Sequence, residues 1–122
     1  MAEEMVNRKS TFSEKVTVVD IFCNLDMIRA QRLNELIAKL VSQGEYYIII
    51  NLEKVNYVNS AGIAAMIGHS KIVKKHGGDI KFININGQVK DILDVFGLHI
   101  IFRVLDTEKE AVEEFLKEDT SV

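Results

Sequence analysis

The chain is poor in cysteine and carries little excess charge, and each shortage excludes a class of protein. Cys23 is the only cysteine among 122 residues, so neither an intrachain disulfide nor a cysteine-based metal cluster can form. The three histidines, His69, His76 and His99, lack the spacing of zinc ligands. The net charge of −3 gives no electrostatic reason to expect nucleic acid or an anionic membrane as a partner. We expect no metal and no cofactor.

Long apolar runs and nucleotide-binding motifs are also missing. The longest apolar runs fall short of the roughly 20 residues that a membrane-spanning helix needs. The amino-terminal sequence Met-Ala-Glu-Glu-Met lacks the basic start and apolar run of a signal peptide, so we expect a cytoplasmic protein. Neither GxxxxGK[ST] nor GxGxxG occurs, and kinase or nucleotide-hydrolysing activity therefore has no support.

The overall composition is that of a globular domain. The chain is 48% hydrophobic and 27% charged, which is typical of soluble proteins, and its length allows a real core. We expect one domain over residues 1–122, with a core at about 10–117 and short frayed ends.

Along the chain, segments with the hydrophobic pattern of a strand alternate with segments that have the pattern of a helix. Apolar and β-branched runs predict strands, whereas apolar residues at helical spacing that end at glycines predict helices. The predicted strands are residues 6–12, 16–22, 46–51, 80–83 and 100–104, the first two joined through residues 13–15. The predicted helices run through residues 33–41, 63–73, 86–96 and 107–116, the last opened by a capping box at residues 107–110. This order indicates an α/β fold with a mainly parallel or mixed sheet.

Ser60 lies where a strand-like segment ends and a helix-like segment begins, in residues 55–63 (Val-Asn-Tyr-Val-Asn-Ser-Ala-Gly-Ile). The start of a helix offers free N–H groups and a partial positive charge that can hold a phosphate. Three roles are open for this residue: helix cap, phosphate acceptor and catalytic nucleophile. The cap could equally be Asn59. The nucleophile is weakly supported, because a hydrolase elbow needs glycine on both sides, and Val58 stands where the upstream glycine belongs. No activating base is evident either.

The helix that follows Ser60 has two different sides. One side is apolar and suited to the core. The other carries small or apolar residues, namely Ala61, Ala65, Gly68 and Ile72. Either a second helix of the chain covers this side, or it is a docking surface for a partner.

Other candidate sites are weaker. Asp20, Asp26, Asn51 and Glu53 lie near predicted strand ends and could bind Mg²⁺, but an amide stands at position 51, where a carboxylate would be wanted. We expect Lys71, Lys74 and Lys75 to form a solvated helix end, and Cys23 to be a small core residue.

Residues 51–63 resemble the signature of the STAS domain family, as found in bacterial anti-sigma factor antagonists: D-L-x-x-V-x-[FY]-[ILMV]-D-S-[SAT]-G-[LI]. The likeness continues through residues 74–78, 89–93, 96–98 and 101–102, and Leu25-Asp26 resembles an L-D pair before the first helix. It therefore covers about residues 10–117.

The resemblance implies a mixed sheet of four to five strands, with about four helices mainly on one face. It implies a binding module rather than an enzyme. In this family, the anti-sigma factor is a kinase that phosphorylates the serine, and a phosphatase reverses the reaction. Only the unphosphorylated antagonist binds strongly and frees the sigma factor, which regulates transcription. On this chain, Ser60 is the implied phosphoacceptor, Asn59 stands at the aspartate position, and Asp26 matches a second acidic position.

We expect the partner surface to comprise Asp26, Asn59, Ser60, Ala61, Gly62, Ala65, Gly68 and Ile72. Asn59 and Asn51 replace two aspartates of the family pattern, which removes an acidic group beside Ser60. The main alternative is a constitutive structural STAS subunit of a stress-signalling or lipid-transport assembly, in which Ser60 is only a cap. A small serine hydrolase is a third possibility.

Overall fold

The computed structural model describes residues 3–120, within which the chain forms five strands and six helices. The strands are β1 (Met5–Lys9), β2 (Thr17–Ile21), β3 (Tyr47–Asn51), β4 (Asp79–Ile83) and β5 (Arg103–Leu105). The helices are α1 (Met27–Ser42), α2 (Ser60–Ala64), α3 (Ile67–Lys75), α4 (Gly87–Val95), α5 (Leu98–Ile101) and α6 (Glu108–Thr120). These elements extend beyond the expected core of 10–117. The outermost residues of the expected frayed ends, 1–2 and 121–122, lie outside the described residues.

The five strands form one mixed sheet in the order β1-β2-β3-β4-β5. β1 and β2 are antiparallel, as the predicted hairpin requires, and the remaining neighbours are parallel. Each parallel connection contains at least one helix, as βαβ geometry demands. No helix among the described residues is long and apolar enough to cross a membrane.

The central strand β3 is covered on both faces, which confirms the interpretation of its continuous apolar run. Ile48 and Ile50 face the larger core with α1, α3, α4 and α5. Ile49 faces the opposite side, where α6 packs through Ala111, Val112 and Phe115. The expectation of helices mainly on one face is therefore confirmed, with α6 alone on the other.

A buried lysine fixes α6 against the sheet. Lys81 of β4 is only 1% exposed. Its ammonium group donates to Glu114 Oε1 at 2.8 Å and to Glu118 Oε1 at 3.0 Å, and lies 4.6 Å from the ring centroid of Phe115. A buried charge is tolerated when it is paired in this way.

The predicted helix over residues 63–73 is wrong in one respect, because it is two helices. α2 ends at Ala64, and the Met66 N–H donates to Ile63 O, three residues back, in a tight turn before α3 begins. Ile63 and Met66 are both buried, and their spacing of three residues suits this tighter turn.

The predicted strand over residues 100–104 is also displaced. Gly97 adopts a left-handed conformation (φ 69°), and α5 follows it before β5 begins at Arg103. Leu98 and Phe102 are buried four residues apart, which is helical spacing, while Ile100 is 80% exposed. The core contact of this pair outweighs the β-propensity of the two isoleucines.

Candidate functional site

Two helices start side by side at the carboxyl edge of the sheet. An isolated parallel bridge joins Leu25 to Val58. The Leu25 N–H donates to Tyr57 O at 2.9 Å, and the Asn59 N–H donates to Leu25 O at 2.7 Å. The residues after the bridge, Asp26 and Asn59, are therefore neighbours at the starts of α1 and α2.

Each of these neighbours caps its helix through its side chain. Asp26 Oδ1 accepts from the Arg29 N–H at 2.8 Å, and Asn59 Oδ1 accepts from the Gly62 N–H at 2.9 Å. Ser60 is the first residue of α2 and is half-buried. Since Asn59 is the cap, Ser60 does not have the capping role that the sequence left open to it.

Amide side chains brace the loop that leads to Ser60. Asn24 Oδ1 accepts from the N–H groups of Asn56 and Tyr57, at 2.9 and 3.3 Å. Asn86, the predicted cap of α4, also donates through Nδ2 to Val55 O at 3.0 Å. The sequence pattern did not indicate Asn24 or this second role of Asn86. Their only signal was the position of an asparagine just after a strand.

The start of α2 is locked against α1. A Cβ atom added to Gly62 would lie 2.3 Å from the Cβ of Ala30, so only glycine allows this approach. Asn34 Nδ2 donates to Gly62 O at 2.9 Å and to Ala30 O at 3.0 Å. Asn34 was also missed, because an asparagine inside a helix resembles any other polar helix residue.

The expected small-residue surface is exposed. Ala61, Ala65 and Gly68 are exposed, and Ile72 is 44% exposed, so no other element of the described chain covers them. Ala61 and Ala65 also line an apolar groove between α2 and α1, whose other side includes Met27. All four residues are exposed although the chain breaks between α2 and α3.

The charged groups near Ser60 belong to the start of α1. Arg29 donates to Asp26 Oδ2 at 2.6 Å and also pairs with Glu4. The hydrogen bond from the backbone N–H of Arg29, assisted by its guanidinium, holds the pKa of Asp26 below its ordinary value. Asp26 is therefore a paired carboxylate beside the α2 start, and Asn59 adds no charge there.

The structure does not assemble the magnesium site. Asp20 accepts hydrogen bonds from the Arg8 guanidinium at 2.7 Å and from Asn51 Nδ2 at 2.8 Å, so donors occupy its carboxylate. Asp26 lies instead in the α1 cap. Among residues 3–120, no cluster of three or more histidine, cysteine or acidic side chains could hold a metal ion.

Two of the three histidines make contacts away from Ser60. His76 stacks on Tyr46 with ring centroids 4.2 Å apart, and His99 lies 3.4 Å from Asp94, so both are engaged elsewhere. Burial raises the pKa of the Cys23 thiol to about 11. Cys23, predicted to be a small core residue, is partly buried and packs against the core.

Comparison with known proteins identifies the family. Residues 7–111 match the STAS domain. The anti-sigma-B factor antagonist of Bacillus subtilis is 33% identical over 86 residues, which cover 70% of this chain and 78% of that protein. Both matches include the Ser60 region.

Solved structures share the fold. The unphosphorylated form of the anti-sigma factor antagonist SpoIIAA superposes with a TM-score of 0.76 at 20% identity, covering 93% of this chain and 96% of that chain. The phosphorylated form of Bacillus SpoIIAA superposes with a TM-score of 0.63 at 20% identity, covering 89% of this chain and 98% of that chain. The predicted STAS fold and the resemblance to anti-sigma factor antagonists are confirmed, and this chain belongs to the STAS domain family.

Proposed function

We propose that this chain is an anti-sigma factor antagonist whose binding to an anti-sigma factor kinase is controlled by phosphorylation of Ser60. One observation carries the proposal: Ser60 opens α2 without capping it, beside an exposed surface of small residues. The names of the relatives support the antagonist role, and a relative that has been solved in a phosphorylated form supports the control.

The surface beside Ser60 suits close contact with a partner. Ala61, Ala65 and Gly68 carry almost no side chain, so a partner backbone could approach them closely, and Ile72 adds apolar area. Together with Asp26, Asn59 and Gly62, these residues form the proposed partner surface.

Phosphorylation would act through charge. A phosphate adds about −1.5 to −2 charges at pH 7. In an interface of small apolar groups this charge would lose its hydration without gaining a matched cation, which costs several kcal/mol. Since a micromolar complex has a binding free energy of about −8 kcal/mol, a loss of that size is enough to abolish it.

Asn59 sets this chain apart from the family pattern. An amide caps α2 as a carboxylate would, but it does not repel an incoming phosphate. We propose that the chain supplies only the acceptor hydroxyl, and that a separate kinase and a separate phosphatase supply the catalytic groups.

The test uses binding to the anti-sigma factor of the host organism, measured by isothermal titration calorimetry. Ser60→Ala should bind as tightly as the unphosphorylated protein, whereas Ser60→Asp should bind at least tenfold more weakly. Ser42→Asp is the matched control, because Ser42 is exposed at the far end of α1, and it should bind normally. Equal affinity of the two Ser60 variants for the anti-sigma factor would contradict the proposal.

Intact mass of the protein from its native host addresses the alternative. We expect a species heavier by one phosphate that disappears in Ser60→Ala. Unmodified protein under every growth condition would favour the constitutive structural subunit.

A further inference from the structure

The groove between α1 and α2 continues the proposed partner surface. Met27, Gln31 and Asn34 lie on its α1 side, and Ala61 and Ala65 lie on its α2 side. Ala61 and Ala65 therefore belong both to the groove and to the surface that the anti-sigma factor is proposed to contact. A protein that binds this surface also covers the groove.

The size of the groove suits one side chain. Its volume is about 250 Å³. Pockets for small molecules commonly have volumes of about 300–1,000 Å³, so the groove is small for a cofactor or a nucleotide. A single large side chain of the bound protein is the occupant that matches this volume.

The lining of the groove favours an apolar occupant. None of the described residues that line it carries a charge. Two of its amides are already engaged within the chain, because Asn34 Nδ2 donates to Gly62 O and Asn59 Oδ1 accepts from the Gly62 N–H. A charged side chain would lose its hydration here without gaining a partner, whereas an apolar side chain gains by leaving water.

The two sides of the groove are held in place before any partner binds. Asn34 bridges α1 to α2, and Gly62 packs directly on Ala30, so the distance between the two helices is fixed. A preformed groove needs no ordering before a side chain enters it, which favours binding.

Met27 is the side chain of the groove that is suited to contact with the occupant. Among the described residues that line the groove, Met27 alone has a large apolar side chain, and it is 70% exposed. The unbranched thioether side chain adapts to the shape of a partner. Its neighbour Ile28 is 62% exposed but does not line the groove, which separates the two residues in an experiment.

We propose that the groove between α1 and α2 receives one large apolar side chain of the anti-sigma factor kinase, and that Met27 packs on this side chain. The inference rests on the proposed function, because the partner is the protein that recognises Ser60. It adds Met27 to the partner surface as a residue that determines specificity.

Isothermal titration calorimetry of the full unphosphorylated chain with the anti-sigma factor of the host organism tests the role of Met27. Met27→Ala should bind about tenfold more weakly, because the contact with the inserted side chain is lost. Met27→Leu should stay within about threefold of the wild type, since it keeps an apolar side chain of similar volume. Thermal unfolding of both variants should match that of the wild type, because this side chain lies mostly in solvent.

Ile28→Ala is the matched control, since it removes an equally exposed apolar side chain one position along the same helix. It should bind within about twofold of the wild type. Equal affinities of Met27→Ala and Ile28→Ala for the anti-sigma factor would overturn the proposal.

Ala65→Leu tests the groove itself. A leucine side chain at this position would take up the space of the inserted side chain, so binding should weaken about tenfold. Ser42→Leu is the control for this change, because Ser42 is exposed at the far end of α1, and it should bind like the wild type. Normal binding by Ala65→Leu would show that no side chain enters the groove.

The same titrations separate this proposal from phosphorylation control. Normal binding by Met27→Ala, together with weak binding by Ser60→Asp, would exclude the groove and leave phosphorylation control standing. Equal binding by Ser60→Ala and Ser60→Asp, together with a tenfold loss for Met27→Ala of about that size, would exclude phosphorylation control and leave the groove as a contact site.

Discussion

Gly62 at the start of α2 and Ala30 of α1 approach so closely that a Cβ atom on Gly62 would lie 2.3 Å from the Cβ of Ala30. The backbone of the Ser60 helix thus rests directly on α1. Because Ala30 is 1% exposed, neither helix has space to move aside.

Gly62→Ala should therefore lower the free energy of unfolding by about 1–3 kcal/mol, the usual cost of overpacking. Urea denaturation measures this loss in the free energy of unfolding. Gly68→Ala is the matched control, because a Cβ there meets open space on an exposed helix, and it should stabilise by about 0.5–1 kcal/mol. Similar effects of the two changes would contradict the close packing.

Asn59 contributes to stability as a cap. Asn59→Ala should cost about 1 kcal/mol, because the Gly62 N–H loses its acceptor. Asn59→Asp keeps the acceptor and adds a negative charge at a helix start, so its stability should match that of the wild type within about 0.5 kcal/mol. If both variants lost the same stability in chemical denaturation, the side-chain oxygen of residue 59 would not be the group that stabilises the start of α2.

Asn34 ties the two helices together. Asn34→Ala should lower stability by about 1–2 kcal/mol, because Gly62 O then loses its donor. Asn34→Asp should cost more at pH 7, since a carboxylate would face two carbonyl oxygens. Thermal denaturation of both variants, with exposed Glu35→Ala on the same helix as control, measures this. A smaller loss for Asp than for Ala would argue against the bond.

Stability should fall in acid through Glu114. Its hydrogen bonds from Arg103 and then Lys81 lower its pKa from 4.5 to about 2. A carboxyl whose pKa is depressed in the folded state stabilises the fold above its unfolded pKa. That contribution is lost as the pH falls from about 4.5 to about 2. Unfolding free energies measured across this window should decline less steeply for Glu114→Gln than for the wild type. Equal slopes would show that Glu114 is not the titrating group.

The sequence correctly predicted those helices and strands for which the local residue pattern and the tertiary packing favour the same structure. The run over residues 46–51 is apolar at every position up to its last residue, which fits a strand covered on both faces, and the structure has β3 there. Asn86 and Gly97 were predicted as the limits of α4, and they are its cap and its left-handed end. Strong local preferences of this kind survive folding because the tertiary contacts reinforce them.

Local pattern failed where distant contacts decide the conformation. Ile100 and Ile101 have the composition of a strand, yet burial of Leu98 and Phe102 at helical spacing makes that segment a helical turn. The helix after Ser60 is also interrupted, at a tight turn in which the Met66 N–H donates to Ile63 O and both side chains are buried.

From the sequence alone came the α/β order, the absence of disulfide and cysteine-metal chemistry, and the choice of Ser60 as the residue of interest. Only the tertiary structure assigned the cap to Asn59 rather than Ser60, because that assignment depends on which oxygen reaches the Gly62 N–H. Only the tertiary structure showed that Asp26 lies beside Asn59 and that α2 packs against Ala30. Hydrogen bonds and close contacts between residues about 30 positions apart depend on how the strands pair, and no local pattern encodes that pairing.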